Sequence, residues 1–136
     1  GRMSPPAGKL EGFLLKDEDK ARVTVYRKPV PGGKSAATLY KTLKTADGLS
    51  LVECELITGR THQIRAQFAD AGCPLLGDGK YGKLDKRFDR SYQALYSYKL
   101  TFTFTTDAGT LDYLNGKSFR VEKVDFAEQY FPDVKI

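Results

Sequence analysis

Apolar and polar residues alternate with the period of two that a half-buried strand requires through the first part of the chain. Leu10-Glu11-Gly12-Phe13-Leu14-Leu15 reads as a first short strand, and a charged turn follows at Asp17 to Lys20. Ala21-Arg22-Val23-Thr24-Val25-Tyr26 alternates with β-branched residues and predicts a second. Pro29 to Ser35 is a loop rich in proline and glycine. The clearest hairpin comes next, from Ala37 to Thr45, through Ala46-Asp47-Gly48, and back from Leu49 to Leu56. Asp-Gly supplies the positive φ of a tight antiparallel turn. In the return strand Val52, Cys54 and Leu56 share one face, and Leu51, Glu53 and Glu55 share the other.

After Gly59 the period changes. Ile64, Phe68 and Ala71 recur at helical spacing and predict a short helix with an apolar stripe against the sheet. Thr61 is its expected N-cap, and Gly72 sits where a left-handed C-terminal residue belongs. His62, Arg65 and Ala69 fall on a different face, which frees Arg65 from the core. Pro74 to Gly82 is a glycine-rich loop, and Lys83 to Arg90 a charged, solvated segment. Tyr96, Tyr98, Leu100, Phe102 and Phe104 then alternate with Ser97, Lys99, Thr101, Thr103 and Thr105, which predicts one long strand with a buried face. Strands over Leu111–Leu114 and Phe119–Val124 and a short helix over Ala127–Phe131 are expected to complete the chain. The class implied is α+β: strand-rich, a mixed and mostly antiparallel sheet, one or two short helices.

Composition changes this picture little. At 136 residues, 40% hydrophobic and 29% charged, the chain fits one globular domain or part of one. No apolar run approaches the ~18 residues of a membrane span, and nothing at the start resembles a signal peptide. Cys54 and Cys73 lack metal-ligand spacing and are expected as reduced thiols of a cytoplasmic protein. A single histidine cannot build a metal site, so no metal is expected. The net charge of +5 favours polyanionic partners, but charge alone leaves binding and non-binding readings open.

Chemistry concentrates at the strand-to-helix corner Thr58-Gly59-Arg60-Thr61-His62-Gln63-Ile64-Arg65. First-turn N–H groups are unpaired and partly positive, and Arg60 and His62 beside them suit a phosphate or carboxylate. A capped helix with solvated charges explains the same composition.

The run Leu56-Ile57-Thr58-Gly59-Arg60-Thr61-His62-Gln63-Ile64-Arg65, followed by Gly72-Cys73-Pro74-Leu75-Leu76-Gly77-Asp78-Gly79-Lys80-Tyr81-Gly82, resembles the third motif of the RluA-type RNA pseudouridine synthases. Gln93 to Phe102 resembles that family's Leu-His-Ala strand, with Tyr96 where the histidine stands and Ser97 where the alanine stands. The resemblance implies conversion of uridine to pseudouridine within RNA and no cofactor. The N1–C1′ bond breaks, the uracil turns, and C5 joins C1′. The family's nucleophile is an aspartate in a His-Arg-Leu-Asp-type motif, a tyrosine serves the proton step at C5, and an arginine pairs with the aspartate. Arg65 matches that arginine, and a buried carboxylate beside a guanidinium stays ionised. By the same resemblance Arg60, Thr61, His62, Gln63, Lys80 and Tyr81 would meet substrate or RNA. Gly59, Pro74, Leu75, Leu76, Gly77, Asp78 and Gly82 would frame the motif.

No His-Arg-Leu-Asp motif occurs in the sequence; Asp89, in Arg87-Phe88-Asp89-Arg90, is the nearest imitation. The chain is therefore expected to be the C-terminal portion of such a catalytic domain, inactive alone, with the nucleophile and tyrosine lying upstream. Such a piece is expected to self-associate through exposed sheet edge. The expected partner is RNA, of the large ribosomal subunit or transfer type, and the expected location is the cytoplasm. A non-catalytic RNA-binding module of the same fold is the alternative.

Overall fold

Asp47 and Gly48 both adopt positive φ, 55° and 76°, and close the central hairpin between β3 (Lys34–Ala46) and β4 (Leu49–Leu56). The structure is a computed structural model describing residues 1–136. A second hairpin joins β1 (Ala7–Asp17) to β2 (Arg22–Tyr26). At its tip Asp17 Oδ1 accepts the N–H groups of Asp19 and Lys20, and Ala21 takes a left-handed φ of 47°. β1 also pairs antiparallel with β3, so the four strands run β2-β1-β3-β4, every neighbour antiparallel. A bulge between Thr42 and Lys44 shifts the β3–β4 register by one residue.

α1 (Gln63–Asp70) lies on this sheet, touching β1 and β2. Its two flanks bury different clusters. Ala66 joins Leu14, Val23 and Ala36, whereas Phe68 and Ile64 join Met3, Tyr40, Val52 and Cys54. Ala71, expected on the apolar stripe, is exposed. Between the flanks runs a polar seam. Thr38, Gln63 and Gln67 are buried. Thr38 Oγ1 donates to Gln67 Oε1 at 2.6 Å and accepts from Gln63 Nε2 at 2.9 Å. Gln67 Nε2 donates to the Leu10 carbonyl at 3.1 Å. Buried amides are tolerated when each polar atom is paired, as these are.

The helix ends as the sequence predicts. Gly72 has φ 85°, its N–H bonds the Ala69 carbonyl, and the Cys73 N–H bonds that of Phe68, the Schellman pattern. Cys54 and Cys73 are free thiols, and burial, then Glu53, pushes the Cys54 thiol up to about 11.

Gly1–Ala94 forms one compact unit and Leu95–Ile136 a second. In the second, the long strand expected over Tyr96–Thr105 shrinks to β5 (Lys99–Thr101), paired antiparallel with β6 (Ser118–Arg120). Alternation marks a face able to be buried, but Tyr96 and Leu100 are 50% and 57% exposed. Leu111–Leu114, expected as a strand, falls in a 3₁₀ turn over Gly109–Leu114. Gly109 at φ 60° starts it, its N–H held by Asp107 Oδ1. α2 (Asp125–Tyr130) occupies the expected place of the last helix.

Candidate active site

The corner is built from the seam outward. Gln63 Oε1 accepts the Thr58 hydroxyl at 2.7 Å and the Arg60 N–H at 3.0 Å, while Nε2 reaches the Ala37 carbonyl. Thr58 Oγ1 in turn takes the Ala37 N–H. Gln63, expected at the substrate, is thus the scaffold of the corner, buried with its amide committed inside the chain. Thr61 does not cap the helix either. The N-cap is His62, at φ 52° and without a capping side-chain bond. A left-handed non-glycine residue costs roughly 1–2 kcal/mol, and here it sets the imidazole against Tyr81.

Arg65, on the first turn of α1, reaches across to the Pro74–Gly82 loop. Its Nε donates to Asp78 Oδ2 at 2.8 Å and its Nη2 to Oδ1 at 2.9 Å, a bidentate pair. The Asp78 side chain is fully enclosed, and that of Arg65 is 14% exposed. Oδ1 also accepts the Lys80 and Tyr81 N–H groups. Burial pushes the Asp78 carboxyl up, but the Arg65 bonds and these two N–H groups outweigh it and hold it below the usual range. The Asp78 hydrogen bonds hold Arg65 firmly protonated. Nη1, on the other edge of the guanidinium, has no hydrogen-bond partner within the chain.

Tyr81 links this pair to β2. Its hydroxyl accepts the Val23 N–H at 3.0 Å and lies 2.8 Å from His62 Nδ1. When the hydroxyl that takes the Val23 N–H donates its own proton to Nδ1, the imidazole proton stands on Nε2. Burial, then the charges of Arg65 and Lys80, lower the His62 pKa and keep it neutral. The guanidinium carbons of Arg22 and Arg65 stand 4.8 and 5.2 Å from the Tyr81 ring centre. Arg22 Nη1 bonds the Lys80 carbonyl, and Lys80 Nζ the Ala21 carbonyl, tying the loop to the β1–β2 hairpin.

The structure brings together His62, Arg65, Asp78, Lys80 and Tyr81. Arg60 is elsewhere, its Nε on the Ser35 carbonyl, and Thr61 is exposed. Gly59 meets nothing a side chain would strike. By contrast a Cβ at Gly77 would lie 2.0 Å from the Tyr92 carbonyl oxygen, and one at Gly82 2.6 Å from Pro74. Leu75 packs on the Phe68 cluster, and the Leu76 carbonyl accepts the Ala94 N–H. Sequence reasoning missed Asp78 as the partner of Arg65, because Gly-Asp-Gly reads as a turn. It also missed Gln67 and Thr38, whose pairing spans distant positions, and Arg22, which lies over the Tyr81 ring. An open groove of about 660 Å3 lies over Lys9, Gly12, Phe13, Ala36 and Ala37 and includes none of these chemistry-bearing groups.

Comparison with known proteins agrees with this corner. The family model described as RNA pseudouridylate synthase matches residues 4–70. The RNA pseudouridine synthase YlyB of Bacillus subtilis is 40% identical over 103 residues, 75% of this chain and 32% of its own length. Ribosomal large subunit pseudouridine synthase D of Neisseria meningitidis is 34% identical over 120 residues, 80% of this chain and 31% of its own. The chain belongs to the RluA-type RNA pseudouridine synthase family. A solved member, human RNA pseudouridylate synthase domain containing 4, matches with a TM-score of 0.50 at 26% identity, over 65% of this chain and 37% of that one. The chain spans about a third of the length of the curated relatives it matches here. In this chain the matched segment contains β1 to β4 and α1, the scaffold that presents Arg65.

Proposed function

We propose that this chain supplies the arginine side of an active site that converts uridine to pseudouridine within RNA. One observation carries the reading: Asp78 holds one edge of the Arg65 guanidinium while Nη1 on the other edge is unengaged within the chain. A rigidly held cation with a spare donor edge suits a second carboxylate, which it would keep ionised and oriented.

Asp78 is not suited to be that second group. It is enclosed, and two guanidinium and two main-chain bonds fix its carboxylate inside the chain. The family resemblance assigns the reactive carboxylate to a His-Arg-Leu-Asp-type motif, which this sequence does not contain, so in this reading another segment of the parent protein supplies it together with the tyrosine for the C5 proton. In the reaction N1–C1′ breaks, C5–C1′ forms, the C5 proton leaves and N1 is protonated. Atoms balance without oxidant or cofactor. The Neisseria relative's name makes large-subunit ribosomal RNA the first substrate to try, and the sequence resemblance adds transfer RNA as the second.

The test is Arg65→Ala in the full-length parent enzyme, with pseudouridine scored on both RNAs. Loss of a preorganised transition-state contact costs roughly 10²-fold or more in kcat. Because Arg65→Ala also strips the enclosed Asp78 of its cation, at roughly 3–5 kcal/mol, turnover is scored at a temperature where circular dichroism shows the variant folded, with the double variant Arg65→Ala/Asp78→Asn as the control that removes the stranded charge. Near-normal turnover would refute the role, and pseudouridine formation by the present chain alone would refute the shared site.

A further inference from the structure

We infer that Lys16, Arg22, Lys80 and the Nε2–H of His62 form a binding site for a backbone phosphate of RNA, beside the Arg65–Asp78 pair. The proposed function enters only in naming RNA as the carrier of that phosphate; the site itself rests on the geometry.

The β1–β2 hairpin and the Pro74–Gly82 loop converge on Tyr81. Lys16 is the cross-strand partner of Val23, whose N–H sits on the Tyr81 hydroxyl. Directly opposed residues share a face of the sheet, so Lys16 rises on the side where Val23 packs toward Ala66 and Tyr81. Arg22 reaches over the Tyr81 ring, and its bond to the Lys80 carbonyl fixes both. Lys80 Nζ rests on the Ala21 carbonyl. These acceptors are neutral, so they position the cations without cancelling their charge.

The balance of charge at His62 is one-sided. Arg65, Lys80 and Lys16 act on the imidazole as cations, and Asp78 is the carboxylate that acts on it. Asp78 is already matched by Arg65. At the hairpin tip, Asp17 is turned onto the N–H groups of its own turn. Lys16, Lys80 and Arg22 form none of the ion pairs of the chain, and they stand around an imidazole whose Nδ1 lies on the Tyr81 hydroxyl. A phosphate oxygen accepts readily from such an N–H, and its spread of oxygens suits cations arriving from two elements. Lysines act there as point charges, and binding a polyanion through them releases counterions.

His62 is the single histidine of the sequence, which makes it a clean reporter. In this chain, 15N imidazole spectra should show the Nε2–H tautomer. Added inorganic phosphate should move the His62 signals and raise its pKa, as should a short single-stranded oligouridylate. Tyr81→Phe should mix the tautomers and weaken the response. Lys16→Gln and Lys80→Gln, both on exposed side chains, should each lower the salt slope of oligouridylate binding by about 0.7. A response to phosphate but not to the oligonucleotide overturns RNA as the carrier. An Nδ1–H tautomer, phosphate-insensitive His62 signals, or unchanged salt slopes overturn the site. None of these readouts is catalysis, so an inactive parent would sink the proposed function and leave this site standing.

Discussion

Asp78 and His62 both have pKa values below those of free side chains, so both make stability fall on acidification. For His62 the unfolded chain takes up its proton first, near the ordinary value of about 6.5. The stabilising difference is present above that pH and is lost as pH falls through the lower folded value. For Asp78 the same sign applies lower down: stability is present above about 3.9 and lost as pH falls through the depressed folded value. Asp78→Asn keeps an acceptor for the Lys80 and Tyr81 N–H groups but sets an amide against Arg65. Removing one member of an enclosed ion pair costs roughly 3–5 kcal/mol. Urea unfolding across pH should show that loss at pH 7 and no further loss through the Asp78 window below about pH 4. A variant as stable as wild type at pH 7 would contradict the pairing. The role of Asp78 was illegible in the sequence because an Asp between two glycines satisfies every rule for a turn residue. Only the fold shows that its carboxylate faces Arg65, thirteen positions earlier.

At the scale of elements, local chemistry was readable wherever the partner is also local. Asp47-Gly48 specified its hairpin, and Gly72 specified the helix end. The helix start was missed, since Thr61 has capping chemistry but Gln63, from inside the helix, takes the Arg60 N–H instead. The glycines separate two physical demands. At Gly72 φ is left-handed and a Cβ would meet open space, so Gly72→Ala should cost about 1–2 kcal/mol of strain and nothing more. At Gly77 φ is 80° and a Cβ would sit 2.0 Å from the Tyr92 carbonyl oxygen, a main-chain atom that cannot rotate away. Gly77→Ala should therefore displace the Pro74–Gly82 loop that carries Asp78, and lose several times more stability than Gly72→Ala. Paired urea midpoints decide it; equal losses would mean the loop yields freely.

Across the whole chain, the two units differ in how their sequence patterns were honoured, and burial explains the difference. In Gly1–Ala94 the alternating strands find one another in a sheet, and α1 closes over it with two apolar clusters. In Leu95–Ile136 the most regular alternation of the sequence yields a ladder of three pairs. Half of the exposed large apolar side chains fall in that unit, under a third of the chain, among them Leu100, Leu111, Tyr113 and Phe119. Alternation states which side chains can share a face; whether the face is covered depends on what packs there, and sequence periodicity carries no information about that. Amide exchange should follow the same division. Openings are cheapest where few buried contacts are broken. β1 and β3 are the inner strands, paired on both sides over Phe13–Leu14 and Thr38–Lys41, so amides of those residues should exchange last. Amides of β5, β6 and α2 should exchange well before them, with Val124, Ala127 and Phe131 as the buried apolar residues of that unit. Hydrogen–deuterium exchange read by mass spectrometry over peptides from each unit measures this directly. Equal protection in both units would mean that the second is held as firmly as the sheet, and that its exposed stripe carries no energetic cost.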